Sequence, residues 1–145
     1  MKLLFVCTGN ASRSPMAAAL FAKMAKEKGR EDIHCESAGL QTATGGRANP
    51  MVIRLCGERG IDLTAHRRRL LSDVDVTTFD YVIVFEEGHR QAVLEQGVPG
   101  EKVLLLGSGI ADPFRKEEMA FYQCRDQIED ALPELWENII RRKSL

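Results

Sequence analysis

Short apolar runs alternate with stretches of helical periodicity along almost the whole chain. Lys2 to Val6 is apolar at every position after the lysine, which predicts a strand buried on both faces. Met16, Leu20, Phe21 and Met24 then recur at helical spacing, behind Pro15 in a first turn and ahead of Gly29 as a stop. Ile33 to Ser37 reads as a second strand, closing in Ser37-Ala38-Gly39. The segment Gln41 to Asn49, rich in Gly, Thr and Ala, reads as a surface loop, and Pro50 opens a helix over Met51 to Arg59. Thr78 to Phe85 is the third strand, Glu87 to Gln96 a helix, and Lys102 to Leu106 the fourth strand. A long amphipathic helix follows, from about Glu117 to Arg142, with Phe121, Ile128, Leu132, Leu135 and Ile139 toward the core. Pro133 predicts a kink or break in it near Asp130 to Leu132.

Strands alternating with helices predict an α/β fold: a single small doubly wound domain over residues 1–145, flavodoxin-like in class. Its four-stranded parallel sheet would be flanked by helices, with ligands at the carboxyl ends of the strands. Cys7 lies at such an end.

Composition narrows the partners. The 20 basic and 21 acidic residues nearly cancel, so no general attraction to nucleic acid or an anionic membrane is expected. No apolar run approaches the roughly 20 residues of a membrane span. Four apolar residues before Cys7 are too few for a secretory signal, so a cytoplasmic protein is expected. The four cysteines are scattered and form no metal spacing with the three histidines, so no metal or cofactor is expected. Cys35, Cys56 and Cys124 read as small buried hydrophobes, Trp136 as core, and Arg67-Arg68-Arg69 as a solvated face that would suit acidic substrates.

The join between the first strand and helix carries the chemistry. Cys7-Thr8-Gly9-Asn10-Ala11-Ser12-Arg13-Ser14-Pro15 places a cysteine and an arginine with five small residues between them. Gly9 is expected to turn the chain with a positive φ, so that successive amides point inward at a helix N-terminus and form an anion nest. Arg13 would close the nest with a bidentate fork, and the same field favours a thiolate at Cys7, to which Ser14 can donate. Such a thiolate can attack phosphorus and form a phosphocysteine. Asp112, in the loop after the fourth strand and stiffened by Pro113, is the candidate acid for the leaving oxygen.

Over essentially the whole chain the sequence resembles the low-molecular-weight protein-tyrosine-phosphatase family. The matching stretches are Cys7 to Pro15, Glu36-Ser37-Ala38-Gly39, Leu63 to His66, Phe79 to Ile83 and Asp112-Pro113. The resemblance implies the phosphotyrosine phosphatase I type of fold and phosphorylated proteins, phosphate or other oxyanions as ligands. It implies Cys7 as nucleophile, Arg13 as binder of phosphate and transition state, and Asp112 as acid, then base. Thr8, Gly9, Asn10, Ala11, Ser12 and Ser14 would form the phosphate loop, braced by Ser37 and His66.

Three departures from the family pattern set expectations. Ser12 stands where many members have a second cysteine, so Cys7 should be more open to overoxidation. Full recovery of peroxide-treated protein by thiol, through a disulfide at Cys7, would tell against this. The Gln41 to Asn49 loop has no aromatic residue, with Ala43 near the expected wall, which leaves Phe114 as the aromatic neighbour of a substrate ring. Asp112-Pro113-Phe114, the Gln41 to Asn49 loop and Tyr122 to Asp126 also resemble the bacterial protein-arginine phosphatases of the same family. Those carry threonine at the position of Ala11, so the alanine favours phosphotyrosine, with phosphoarginine as the alternative.

Other readings use less of the sequence. A non-catalytic oxyanion-binding module predicts phosphate affinity without turnover, and a flavodoxin-like flavin carrier would need neither Cys7 nor Arg13. Related arsenate reductases need further cysteines after the third strand, and none lies between Asp80 and Gly100.

Overall fold

The apolar runs divide between two cores with the period of a strand. In β1 (Lys2–Cys7), Leu3, Phe5 and Cys7 face one cluster while Leu4 and Val6 face the other. In β3 (Tyr81–Val84), Ile83 faces the first cluster, Val82 and Val84 the second. This double burial is why the strands read as continuous apolar runs. The structure is a computed structural model that describes residues 1–144, with side chains described through residue 141. Leu145, the last residue of the expected domain, lies outside the described residues.

With β2 (His34–Gly39) and β4 (Val103–Leu105), the strands form one parallel sheet in the order β2-β1-β3-β4. Helices α1 (Arg13–Glu27), α2 (Pro50–Gly57) and α4 (Glu118–Ser144) supply the first core, where Phe21 packs between Phe5 and Trp136. Helix α3 (Glu87–Glu95) and the segment around Leu71 and Phe79 cover the other face. The chain moves outward from β1 to β2 and then returns across β1 to β3, so direction reverses at the carboxyl ends of β1 and β3. A crevice opens at such a reversal.

The strand bounds differ by a few residues from the sequence expectation. The second ends at Gly39, and the third loses Thr78 to a tight turn over Val76–Thr78. The expected break at Pro133 does not occur, and α4 runs through it. Pro133 is exposed while Ile128, Leu132, Leu135 and Trp136 are buried, so the helix packs on the core both before and after the proline. No helix among the described residues is long and apolar enough to cross a membrane.

Candidate active site

The loop after β1 is shaped by Asn10. Gly9 was expected to take the positive φ, but Asn10 does so instead, at φ 53°. Asparagine tolerates the left-handed region when its side chain is held locally. Here its amide Nδ2 donates to Ser14 Oγ and Ser37 Oγ, each at 2.9 Å, and its Oδ1 accepts from the Arg69 amide at 3.0 Å. The Asn10 carbonyl accepts from His66 Nε2 at 2.9 Å, so this completely buried residue is tied to β2, to α1 and to the 66–69 segment. Gly39 lets the loop lie close: a β-carbon there would be 2.8 Å from the Thr8 carbonyl oxygen.

Cys7 Sγ lies 3.0 Å from Ser14 Oγ and is almost wholly buried, at the floor of a cavity of about 240 Å³. Thr8, Gly9, Ala11, Ser12 and Arg13 line it from the loop, and Asp112 and Phe114 from the segment after β4. Asn10, Ser14, Ser37 and His66 stand behind the loop as its brace. Helix α1 begins without a side-chain cap and with no acidic residue in its first turn. Its free amides and dipole therefore suit an anion seated over Cys7.

Arg13 is buried to 2% exposure, and a guanidinium so placed needs a counter-charge. Glu86, which follows β3, supplies it: Arg13 Nη1 donates to Glu86 Oε2 at 2.8 Å and to the Ile110 carbonyl at 2.9 Å. Arg13 Nη2 lies 3.6 Å from Asp112 Oδ2, and Asp112 Oδ1 accepts from the Phe114 amide at 3.0 Å. The hydrogen bond from Arg13 holds Glu86 below the usual carboxylate range.

His89 braces the other side of the loop. Its Nδ1 accepts from the Phe85 amide at 3.4 Å, which leaves Nε2–H to donate to Thr8 Oγ1 at 3.0 Å. Burial lowers the pKa of His89, in accord with this neutral tautomer, and burial likewise lowers that of His66. Glu86 and His89 were not singled out in the sequence, although both follow a strand end that faces the crevice. Burial pushes the thiols of Cys35 and Cys124 up to about 12 and that of Cys56 to about 11, which makes them inert at neutral pH. No disulfide joins cysteines among the described residues.

The three consecutive arginines do not form the solvated face expected of them. Arg67 is exposed, but Arg69 donates to the Ser37 carbonyl at 3.0 Å and pairs with Glu36 at 2.6 Å. Arg68 lines the cavity, with Gln41 and Thr42 from the neighbouring loop. A charge run by itself carries no signal that one member turns inward.

A family model described as "Low molecular weight phosphotyrosine protein phosphatase" matches residues 2–145. The chain is 34% identical over 143 residues to a protein-arginine-phosphatase of Bacillus subtilis, covering 93% of this chain and 94% of that protein. It is 31% identical over 133 residues to the probable low molecular weight protein-tyrosine-phosphatase EpsP of Ralstonia nicotianae, covering 88% of each. The fold superposes on the crystal structure of a YwlE mutant from Bacillus subtilis with a TM-score of 0.87 and 32% identity, over 96% of this chain and 98% of that one.

Proposed function

The chain belongs to the low molecular weight phosphotyrosine protein phosphatase family, and from that premise we propose that it hydrolyses phosphotyrosine in proteins through a phosphocysteine at Cys7. The family is cysteine-dependent and metal-independent, and its substrates are phosphorylated proteins. The observation that carries the reading is the buried Cys7 sulfur beneath a cavity that Arg13 and Asp112 both line.

In the first step Cys7 Sγ bonds to phosphorus as the bond from phosphorus to the tyrosine oxygen breaks. Asp112, in its acid form, gives that oxygen a proton, so the phenol leaves neutral. Arg13 and the free amides of α1 hold the phosphoryl oxygens as charge spreads over them. In the second step the Asp112 carboxylate takes a proton from water. The water oxygen attacks phosphorus, the sulfur–phosphorus bond breaks, and phosphate and the thiolate are released. Asn10, Ser14, Ser37 and His66 keep the loop in shape.

For the substrate side chain, Ala11 offers the cavity a methyl group and no hydroxyl, and Phe114 at 58% exposure lines the cavity where an aromatic ring can meet it. The identity to a protein-arginine-phosphatase supports phosphoarginine as the second reading. Residues 1–145 are read as one domain, since both cores share one sheet. A reduced Cys7 suits the cytoplasm, where thiols are kept reduced.

Turnover of matched phosphotyrosine and phosphoarginine peptides tests this reading. Phosphotyrosine is expected to be the faster substrate, and Cys7→Ser to abolish turnover while oxyanion binding persists. A faster phosphoarginine peptide would overturn the substrate reading, and turnover by Cys7→Ser the role of Cys7.

A further inference from the structure

We propose that Arg68 selects the leaving group: its guanidinium walls the cavity, favouring the neutral ring of phosphotyrosine and repelling the cationic guanidinium of phosphoarginine. The proposal rests on the phosphatase reading of Cys7. Its basis is the way the three arginines differ. Arg67 Nη1 donates to the carbonyls of Thr64 and His66, at 2.9 and 2.8 Å, and Arg69 is held by Ser37 and Glu36. Arg68 lines the cavity with its Nε buried and without a hydrogen-bond partner. No carboxylate among the described residues forms an ion pair with it. Thr42 Oγ1, in the same wall, is also buried and unpartnered. Neither atom is committed to a protein partner, so no hydrogen bond or ion pair within the chain draws the guanidinium away from the cavity.

The placement is built by the backbone. The Arg68 amide donates to the Gly46 carbonyl at 2.7 Å, and the Gly45 amide donates to the Arg68 carbonyl at 2.8 Å. These bonds join the 41–49 loop to the arginine run. The Arg68 guanidinium then lies over Gly46, in space that any β-carbon at that position would need. Glycine at 46 is therefore the seat of the guanidinium.

The charge of Arg13, which also lines the cavity, is paired. Arg13 has Glu86, with Asp112 near by. Arg115 stands over the Phe114 ring, 5.2 Å from its centroid, and adds further positive charge near the rim. A planar guanidinium stacks well on an aromatic face, whose π cloud is negative. A second guanidinium in the same half-dry space meets repulsion that water screens poorly. Departing phenol thus gains a neighbour where departing arginine meets a like charge.

The test is the ratio of kcat/KM for a phosphotyrosine peptide to that for a phosphoarginine peptide of the same flanking sequence. Both rates come from one preparation, so the folded fraction cancels. Arg68→Gln is expected to lower the ratio by about tenfold, while Arg68→Lys keeps discrimination against phosphoarginine because it keeps the charge. Gly46→Ala, which displaces the guanidinium, should move the ratio in the same direction as Arg68→Gln. A ratio in Arg68→Gln that rises, or stays within about twofold of wild type, overturns the proposal. A wild-type preference for phosphoarginine would instead refute the substrate reading, and the direction of change in Arg68→Gln would still decide the part played by Arg68.

Discussion

Asp112 is held at both carboxylate oxygens, by the Phe114 amide at 3.0 Å and by Arg13 Nη2 at 3.6 Å. The two contacts aim a half-exposed carboxylate at the cavity above Cys7 instead of leaving it free in solvent. A proton donor matters most when the departing oxygen is a poor leaving group. Asp112→Asn is therefore expected to slow hydrolysis of an alkyl phosphate or phosphotyrosine peptide by about 10²–10⁴-fold, and an activated aryl phosphate by much less. Steady-state rates across a series of leaving groups check this, and equal slowing throughout would place the proton transfer elsewhere. Asn10 makes a related point about single residues. Its positive φ is secured by four hydrogen bonds to groups from three separate stretches of chain, which no reading of the loop in isolation supplies.

At the scale of elements, α1 and α4 each break a sequence rule, with different consequences. Helix α1 lacks a cap and an acidic first turn, and that deficiency leaves its N-terminal amides available to an oxyanion. Helix α4 carries Pro133 in its interior, which removes one helical hydrogen bond, and no comparable use of it is evident. Because Pro133 is exposed, a side chain there faces solvent. Pro133→Ala should raise stability by about 1–3 kcal/mol, seen as a higher urea midpoint with unchanged slope and unchanged turnover. No gain would mean that the helix relaxes around the proline at negligible cost.

At the scale of the molecule, the two braces of the site titrate in the same sense. His66 and His89 are both held below the ordinary histidine value of about 6.5, chiefly by burial. The unfolded chain binds protons there before the folded one does. Their contribution to stability is therefore complete above about pH 6.5 and is lost as pH falls below it. Glu86, lowered chiefly by its hydrogen bond from Arg13, acts in the same direction at more acidic pH, below the usual carboxylate value of about 4.3. The melting temperature should stay level near pH 7–8 and fall as pH drops from about 6.5 to 5. A His66→Gln/His89→Gln double variant should melt lower but with a shallower slope over that range. An unchanged slope would assign the pH dependence to other groups.

The sequence by itself determined the alternation of strands and helices, the buried strand ahead of Cys7 and the loop that joins it to α1. These are local matters of apolar period, turn residues and helix starts, and they read directly from Lys2 to Phe21. It also carried Asp112 to the correct sheet edge, because parallel strands send all their carboxyl ends to one side. Tertiary structure decided the rest, because burial and pairing depend on contacts between residues distant in sequence. It replaced Gly9 with Asn10 as the turning residue and kept α4 whole through Pro133. It gave Arg13 its counter-charge in Glu86, 73 positions away along the chain. It divided three adjacent arginines among a backbone contact, the cavity and β2, although nothing in the run of identical charges distinguishes one from the next.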